Sequence, residues 1–142
     1  MTRPSFSIGI EEEYQTVDPV TFDLRSHIQT ELMAQGKRVM KEKVKSELHQ
    51  AVVEVGTGVC RDMTEARVDL VGLRRQMVSL AHEHGLELVA GATHPFADWR
   101  VQDISPDERY LQVVEDMQLV ARSNLIFGLH VHIGIEDRET VI

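Results

Sequence analysis

Three short stretches set polar, chemically capable side chains inside apolar runs: IGIEEEYQT at 8–16, LHQAVVEV at 48–55 and LHVHIGI at 129–135. In an extended strand, residues two apart share a face. Glu11 and Glu13 therefore point one way and Glu12 the other, while His130 and His132 share a face and Glu54 sits among valines. Carboxylates and neutral imidazoles are the donors that divalent cations accept. Carboxylates gathered without a cation would repel one another, lose hydration and take up protons. Each stretch alone also has an ordinary reading. An acidic run often faces water, an HxH can be two polar strand residues, and a single Glu54 can be a hydrogen-bonded carboxylate. Three strands that each place such a residue inside an apolar run are less easily dismissed together.

The remaining pattern supplies elements to hold those strands. Residues 6–17 alternate as a strand, Asp18-Pro19 marks a turn, and 20–24 could return as a hairpin partner. Ser26 with Gln29 predicts a short helix over 27–35 ended by Gly36. The basic block from Lys37 to Lys45 reads as a solvated face, with a phosphate site as the alternative. Residues 48–55 read as a strand. Asp62 and Glu65 open a helix whose apolar stripe is Met63, Ala66, Leu70, Leu73, Met77 and Leu80. His82 and His84 fall in its last turn, where a cation favours the carbonyl end of the helix dipole. Residues 86–92 predict a short buried strand. Ser105-Pro106-Asp107-Glu108 starts a third helix that Gly128 stops, and 129–135 form a last strand. Strands interrupted by single helices indicate an α+β or α/β domain.

The chain has 142 residues, the size of one domain, and a formal charge of −8. That charge argues against nucleic-acid or anionic-membrane partners. One cysteine, Cys60, excludes an internal disulfide and suits a reducing compartment. With no signal-peptide pattern and no apolar run long enough to span a bilayer, a cytoplasmic protein is the expectation. Nothing visibly arranged activates Cys60 as a nucleophile, and there is no Gly-x₄-Gly-Lys phosphate loop.

Five stretches together resemble a known family: FSIGIEEEYQTVDP, KSELHQAVVEVGTGVC, the helix after it, GATHPFADW, and RYLQVVEDMQLVARSNLIFGLHVHIGIE. In order and content they are similar to the N-terminal part of the carboxylate–amine ligases of the glutamate–cysteine ligase type 2, or YbdK-like, group. The resemblance implies a glutamine-synthetase-like catalytic fold, a curved and mainly antiparallel sheet backed by helices. It implies ATP and Mg²⁺ or Mn²⁺ on the concave face, and small-molecule substrates: an amino-acid carboxylate, such as the side chain of glutamate, and an amine. Carried over by residue, Glu13, Glu47 and Glu54 would hold the metal nearer the acceptor carboxylate. Glu11 and His130 would hold the metal on the ATP phosphates, and His132 would lie towards the nucleotide. Arg109, in an Arg109-Tyr110 pair, would fork a carboxylate or phosphate. Glu47 and Glu54 have opposite parity on an ideal strand, so Glu47 is expected in the approach loop or across a bulge. Glu12 is expected to be structural or solvated, and His94-Pro95 to form a turn or face the substrate mouth.

The family is more than twice this long, so residues 1–142 correspond to an N-terminal portion of the ligase domain. The later carboxylate of the nucleotide metal and the later arginines would lie outside it. A sheet of this extent is expected to expose an edge and an apolar face, and so to self-associate or to bind the missing C-terminal half. The alternative is a non-catalytic metal- or nucleotide-binding module, or an interaction subunit.

Overall fold

The computed structural model describes residues 5–27 and 31–141. Strand β1 (Ser7–Val17) is the spine of an open antiparallel sheet. β3 (Val52–Gly56) pairs with it so that Glu13 faces Glu54, and β2 (Val44–Ser46) extends that side with Lys45 opposite Glu54. β4 (Glu87–Val89) and β5 (Leu129–Gly134) also run antiparallel to β1. Glu11 and Glu12 pair with both β3 and β5, and Gln15 pairs with both β3 and β4. β5 and β4 must therefore occupy successive lengths of the other edge of β1. The expected α+β class, with helices against an antiparallel sheet, is what the chain forms.

One face of the sheet carries the core. Helix α2 (Met63–Glu83) starts where Asp62 accepts hydrogen bonds from the Thr64 and Glu65 amides at 2.8 and 2.9 Å. Its stripe Ala66, Leu70, Leu73, Met77 and Leu80 is buried, although Met63 is exposed. Leu73, Met77 and Leu80 pack on Tyr14, Val44, Val53 and Val55, joined by Leu32 and Met40 from helix α1 (Leu32–Met40). Burying each large aliphatic contributes about 1.5–3 kcal/mol, so this face holds the sheet flat against α2. Glu12 also points into this layer and is buried. Arg74 of α2 grips both its oxygens, Nε at 2.7 Å from one, and the Tyr14 hydroxyl donates to it. Arg74 holds the Glu12 carboxyl below the usual range, against the effect of burial. Glu12 is thus a β1-to-α2 clamp rather than a solvated acid.

Several expected boundaries move. The helix placed at 27–35 is instead Leu32–Met40; residues 28–30 lie outside the described residues. Gly36 does not end it but sits buried in its middle, where an added Cβ would come within 3.3 Å of Leu80 and 3.4 Å of Val44. The 48–55 strand begins only at Val52, because 47–51 form a turn. Of the 20–24 return, a single bridge between Val17 and Leu24 forms. The strand over 86–92 contracts to β4 and is half-buried. The long C-terminal helix is two, α3 (Glu108–Met117) and α4 (Leu119–Ser123), broken where Gln118 takes φ 49°. Its N-cap is Asp107, which accepts from the Arg109 amide at 2.9 Å, and not Ser105. His82 and His84 direct Nε2 to Glu87 and Gln35, each at 3.0 Å, rather than to helix carbonyls.

Leu129, Val131 and Ile133 of β5 pair with Glu12, Ile10 and Ile8, so they share the helix-facing side. They are nonetheless 55, 54 and 51% exposed, a bare apolar stripe beyond the reach of α2. Among the described residues no helix is long and apolar enough to cross a membrane.

Candidate functional site

The opposite face of the sheet gathers the acids, and strand register alone dictates most of it. Lys45, Glu54 and Glu13 lie in one cross-strand row over β2, β3 and β1. The next row runs Gly56, Glu11 and His130, and the next places His132 beside Gly9. Glycines opposite Glu11 and His132 leave room for those side chains: a Cβ on Gly56 would meet Glu11 Cγ at 3.6 Å, and one on Gly9 would meet His132 Cβ at 3.7 Å.

Glu47 reaches the same face by another route. It follows β2 directly and sits in the turn before β3, which removes the parity conflict with Glu54. That turn is pinned from outside the sheet. The buried Ser105 hydroxyl donates to the Glu47 carbonyl, the Ser105 amide donates to Leu48 O at 2.8 Å, and the Tyr110 hydroxyl donates to Ser46 O at 2.9 Å. His49, also buried, places Nε2 at 3.0 Å from Arg122 O. The result is that one oxygen each of Glu13, Glu47 and Glu54 lie within 4.8 Å of one another.

The electrostatics of the three acids differ. Glu13 is anchored by the Gly128 amide, which donates to it at 2.7 Å. Glu54 faces the Lys45 ammonium at 2.8 Å. Burial pushes the Glu47 carboxyl up, and the charges of Glu54 and Glu13 add to that; the Leu48 amide and Arg109 oppose it. Glu11 stands in a second group, 2.8 Å from His132 Nε2 and 3.7 Å from His130 Nδ1. The His132 hydrogen bond, helped by Lys45, holds the Glu11 carboxyl below its usual range despite burial. Beside Glu13, Glu47 and His130 opens a cavity of about 490 Å³, walled on its apolar side by Val52, Ile126 and Phe127.

Arg109 lies in the first turn of α3 with its guanidinium over the Tyr110 ring, 4.5 Å from the centroid, and donating to the Tyr110 hydroxyl at 2.5 Å. It is outside the cavity wall, and of the three clustered acids it is Glu47 whose charge acts on it. His94 forms a turn, accepting the Ala97 amide at Nδ1 (3.1 Å) with Nε2 2.9 Å from Phe22 O. Three residues escape sequence reasoning. Lys45 hides in a basic run, Ser105 resembles a helix cap, and Arg74 is one of several charges along α2.

An α+β domain with a donor-rich sheet face suggests a ligand-binding or catalytic class, and comparison with known proteins makes it specific. Residues 7–142 match the sequence profile of glutamate-cysteine ligase family 2 (GCS2), and the chain belongs to that family. A relative from Solibacter usitatus is 62% identical over 140 residues, covering 99% of this chain and 36% of its own length. Relatives from Herpetosiphon aurantiacus and Sorangium cellulosum are 53% and 51% identical, each covering 96% of this chain and 35% and 37% of their own lengths. All three bear the name "Putative glutamate--cysteine ligase 2". The chain thus spans about a third of the length of these relatives.

Proposed function

We propose that the chain carries the cation-binding portion of an ATP-dependent carboxylate–amine ligase site of the glutamate–cysteine ligase type, on a glutamine-synthetase-like sheet. The observation that carries the reading is the convergence of Glu13, Glu47 and Glu54 from two strands and a turn onto one face. The donor set fits a hard divalent cation. It is all oxygen, it is partly buried, and burial, with the charges of Glu54 and Glu13 adding to it, raises the proton affinity of Glu47. In this reading those three acids would hold the cation nearer the acceptor carboxylate, Glu11 and His130 would hold one on the ATP phosphates, and His132 would lie towards the nucleotide.

The cations, Mg²⁺ or Mn²⁺, would neutralise the two anionic substrates and spread the charge of phosphoryl transfer. The protein's share is positioning. Gly128 and the pinned 47–51 turn fix Glu13 and Glu47, and the cavity beside them would receive the acceptor. The γ-phosphoryl group would pass to the side-chain carboxylate of glutamate with ADP leaving. The amine of cysteine would then attack the acyl carbon, phosphate would leave, and the nitrogen would give up a proton to yield the amide. The relatives' names support this substrate pair. Arg109, close to Glu47, is the side chain for a carboxylate or phosphate at the same edge.

Calorimetry with Mg²⁺ and ATP tests the reading. Mg²⁺-dependent binding that weakens at least about tenfold in both Glu13→Gln and His130→Ala is expected. Binding that neither variant alters contradicts it. The bare stripe of β5 favours a second reading, a binding module without turnover. Mg²⁺-dependent ADP release on adding glutamate and cysteine separates the two.

A further inference from the structure

Lys45 belongs to a basic run that the sequence assigns to solvent, yet the register of β2 sets it in the acidic row. Its Nζ lies 2.8 Å from Glu54 Oε1 and 3.5 Å from Glu11 Oε1, so one ammonium touches both donor groups. We propose that Lys45 is a built-in counter-ion that holds the place of a divalent cation in this cluster and is displaced when the cation takes Glu54. The inference rests on the metal-site reading above and adds a competitor to it.

Three observations support displacement over permanent pairing. The Glu54 side chain is only 9% exposed, and a negative charge so far from water is costly without a positive neighbour. The Lys45 side chain is 55% exposed and ends a flexible four-carbon stem, so its departure into water is cheap. The ammonium, 2.8 Å from Glu54 Oε1, also occupies one of the directions from which that carboxylate could bind a cation, and a cation brought to Glu54 would be repelled by it. Lys45 is a positioning residue: its ammonium bridges Glu54 and Glu11 and offsets their charge until the cation arrives.

The sign of one measurement separates this from a structural salt bridge. Removing a merely structural lysine would loosen the site and weaken cation binding. Removing a competitor strengthens it. Mn²⁺ titration of the chain, followed by the electron paramagnetic resonance of free Mn²⁺ at fixed pH and salt, should show Lys45→Met binding roughly tenfold tighter than wild type, a value already reduced for exposure. Lys45→Arg, which keeps the charge, should stay near wild type, and Glu54→Gln should bind more weakly. Lys45→Gln keeps a hydrogen bond without the charge; it should shift as Lys45→Met does, and serves if that variant fails to fold. Wild-type binding with equal or weaker binding by both neutral variants overturns this inference alone. No binding by any of the chains overturns it together with the metal-site reading.

Discussion

Arg74→Met should destabilise the chain by about 2 kcal/mol near neutral pH. Breaking a buried ion pair by removing one partner costs about 3–5 kcal/mol. Here the Glu12 side chain is 7% exposed but Arg74 is 50% exposed, so water can partly replace the guanidinium. The Tyr14 hydroxyl also remains as a donor to Glu12. Glu12→Gln should cost under about 1 kcal/mol, because the half-exposed Arg74 keeps its hydration and an amide oxygen to bond. The asymmetry is the signature: stranding the buried acid is worse than stranding the wet base. Urea unfolding at pH 7 measures both, with an expected midpoint shift of about 1 M for Arg74→Met. The pH dependence has a fixed sign. The folded-state carboxyl of Glu12 lies below its usual value, so its contribution is complete above the ordinary carboxylate range and is lost as pH falls through the lowered value. The penalty of Arg74→Met should therefore shrink on acidification. Equal costs for the two variants, or a penalty that grows towards acid, would refute the clamp.

Gly36→Ala should gain about 1 kcal/mol of helix propensity yet lose more to the buried Leu80 and Val44, for a net cost of about 1 kcal/mol by thermal or urea unfolding; a stabilised variant would show those neighbours yielding. Gly85→Ala should cost about 1 kcal/mol, since Gly85 closes α2 at φ +67°, and an unchanged midpoint would show that the turn relaxes. The bare stripe Leu129, Val131 and Ile133 should drive association at micromolar concentration, and Val131→Lys with Ile133→Glu should abolish it in sedimentation velocity. A compact wild-type monomer would contradict that.

The site face was legible because strand parity is a rule of period two that no tertiary contact can alter. It separates Glu12 from Glu11 and Glu13 and keeps His130 with His132. α2 was legible from its stripe and its Asp62 cap. The errors have physical causes. Gly36 reads as a helix stop, but it serves the close approach of α1 to Leu80 and Val44. His49, Gln50 and Ala51 continue an apolar-looking run, yet their backbone is spent on a turn: the Gln50 amide bonds Asp103 O and the His27 amide bonds Gln50 O. Lys45 was invisible because charge density describes a run of lysines, whereas its role depends on β2, a three-residue strand with no pattern of its own. Ser105 gives the right residue type for a cap and uses its hydroxyl instead to hold the Glu47 turn.

The central claim is that Glu13, Glu47 and Glu54 are ligands to one divalent cation. Anomalous diffraction from a crystal of this chain grown with Mn²⁺ tests it most directly. A manganese peak about 2.0–2.4 Å from an oxygen of each of the three carboxylates is expected, with the Lys45 ammonium moved off Glu54. A peak elsewhere, or no peak while Lys45 still bridges Glu54 and Glu11, would contradict it.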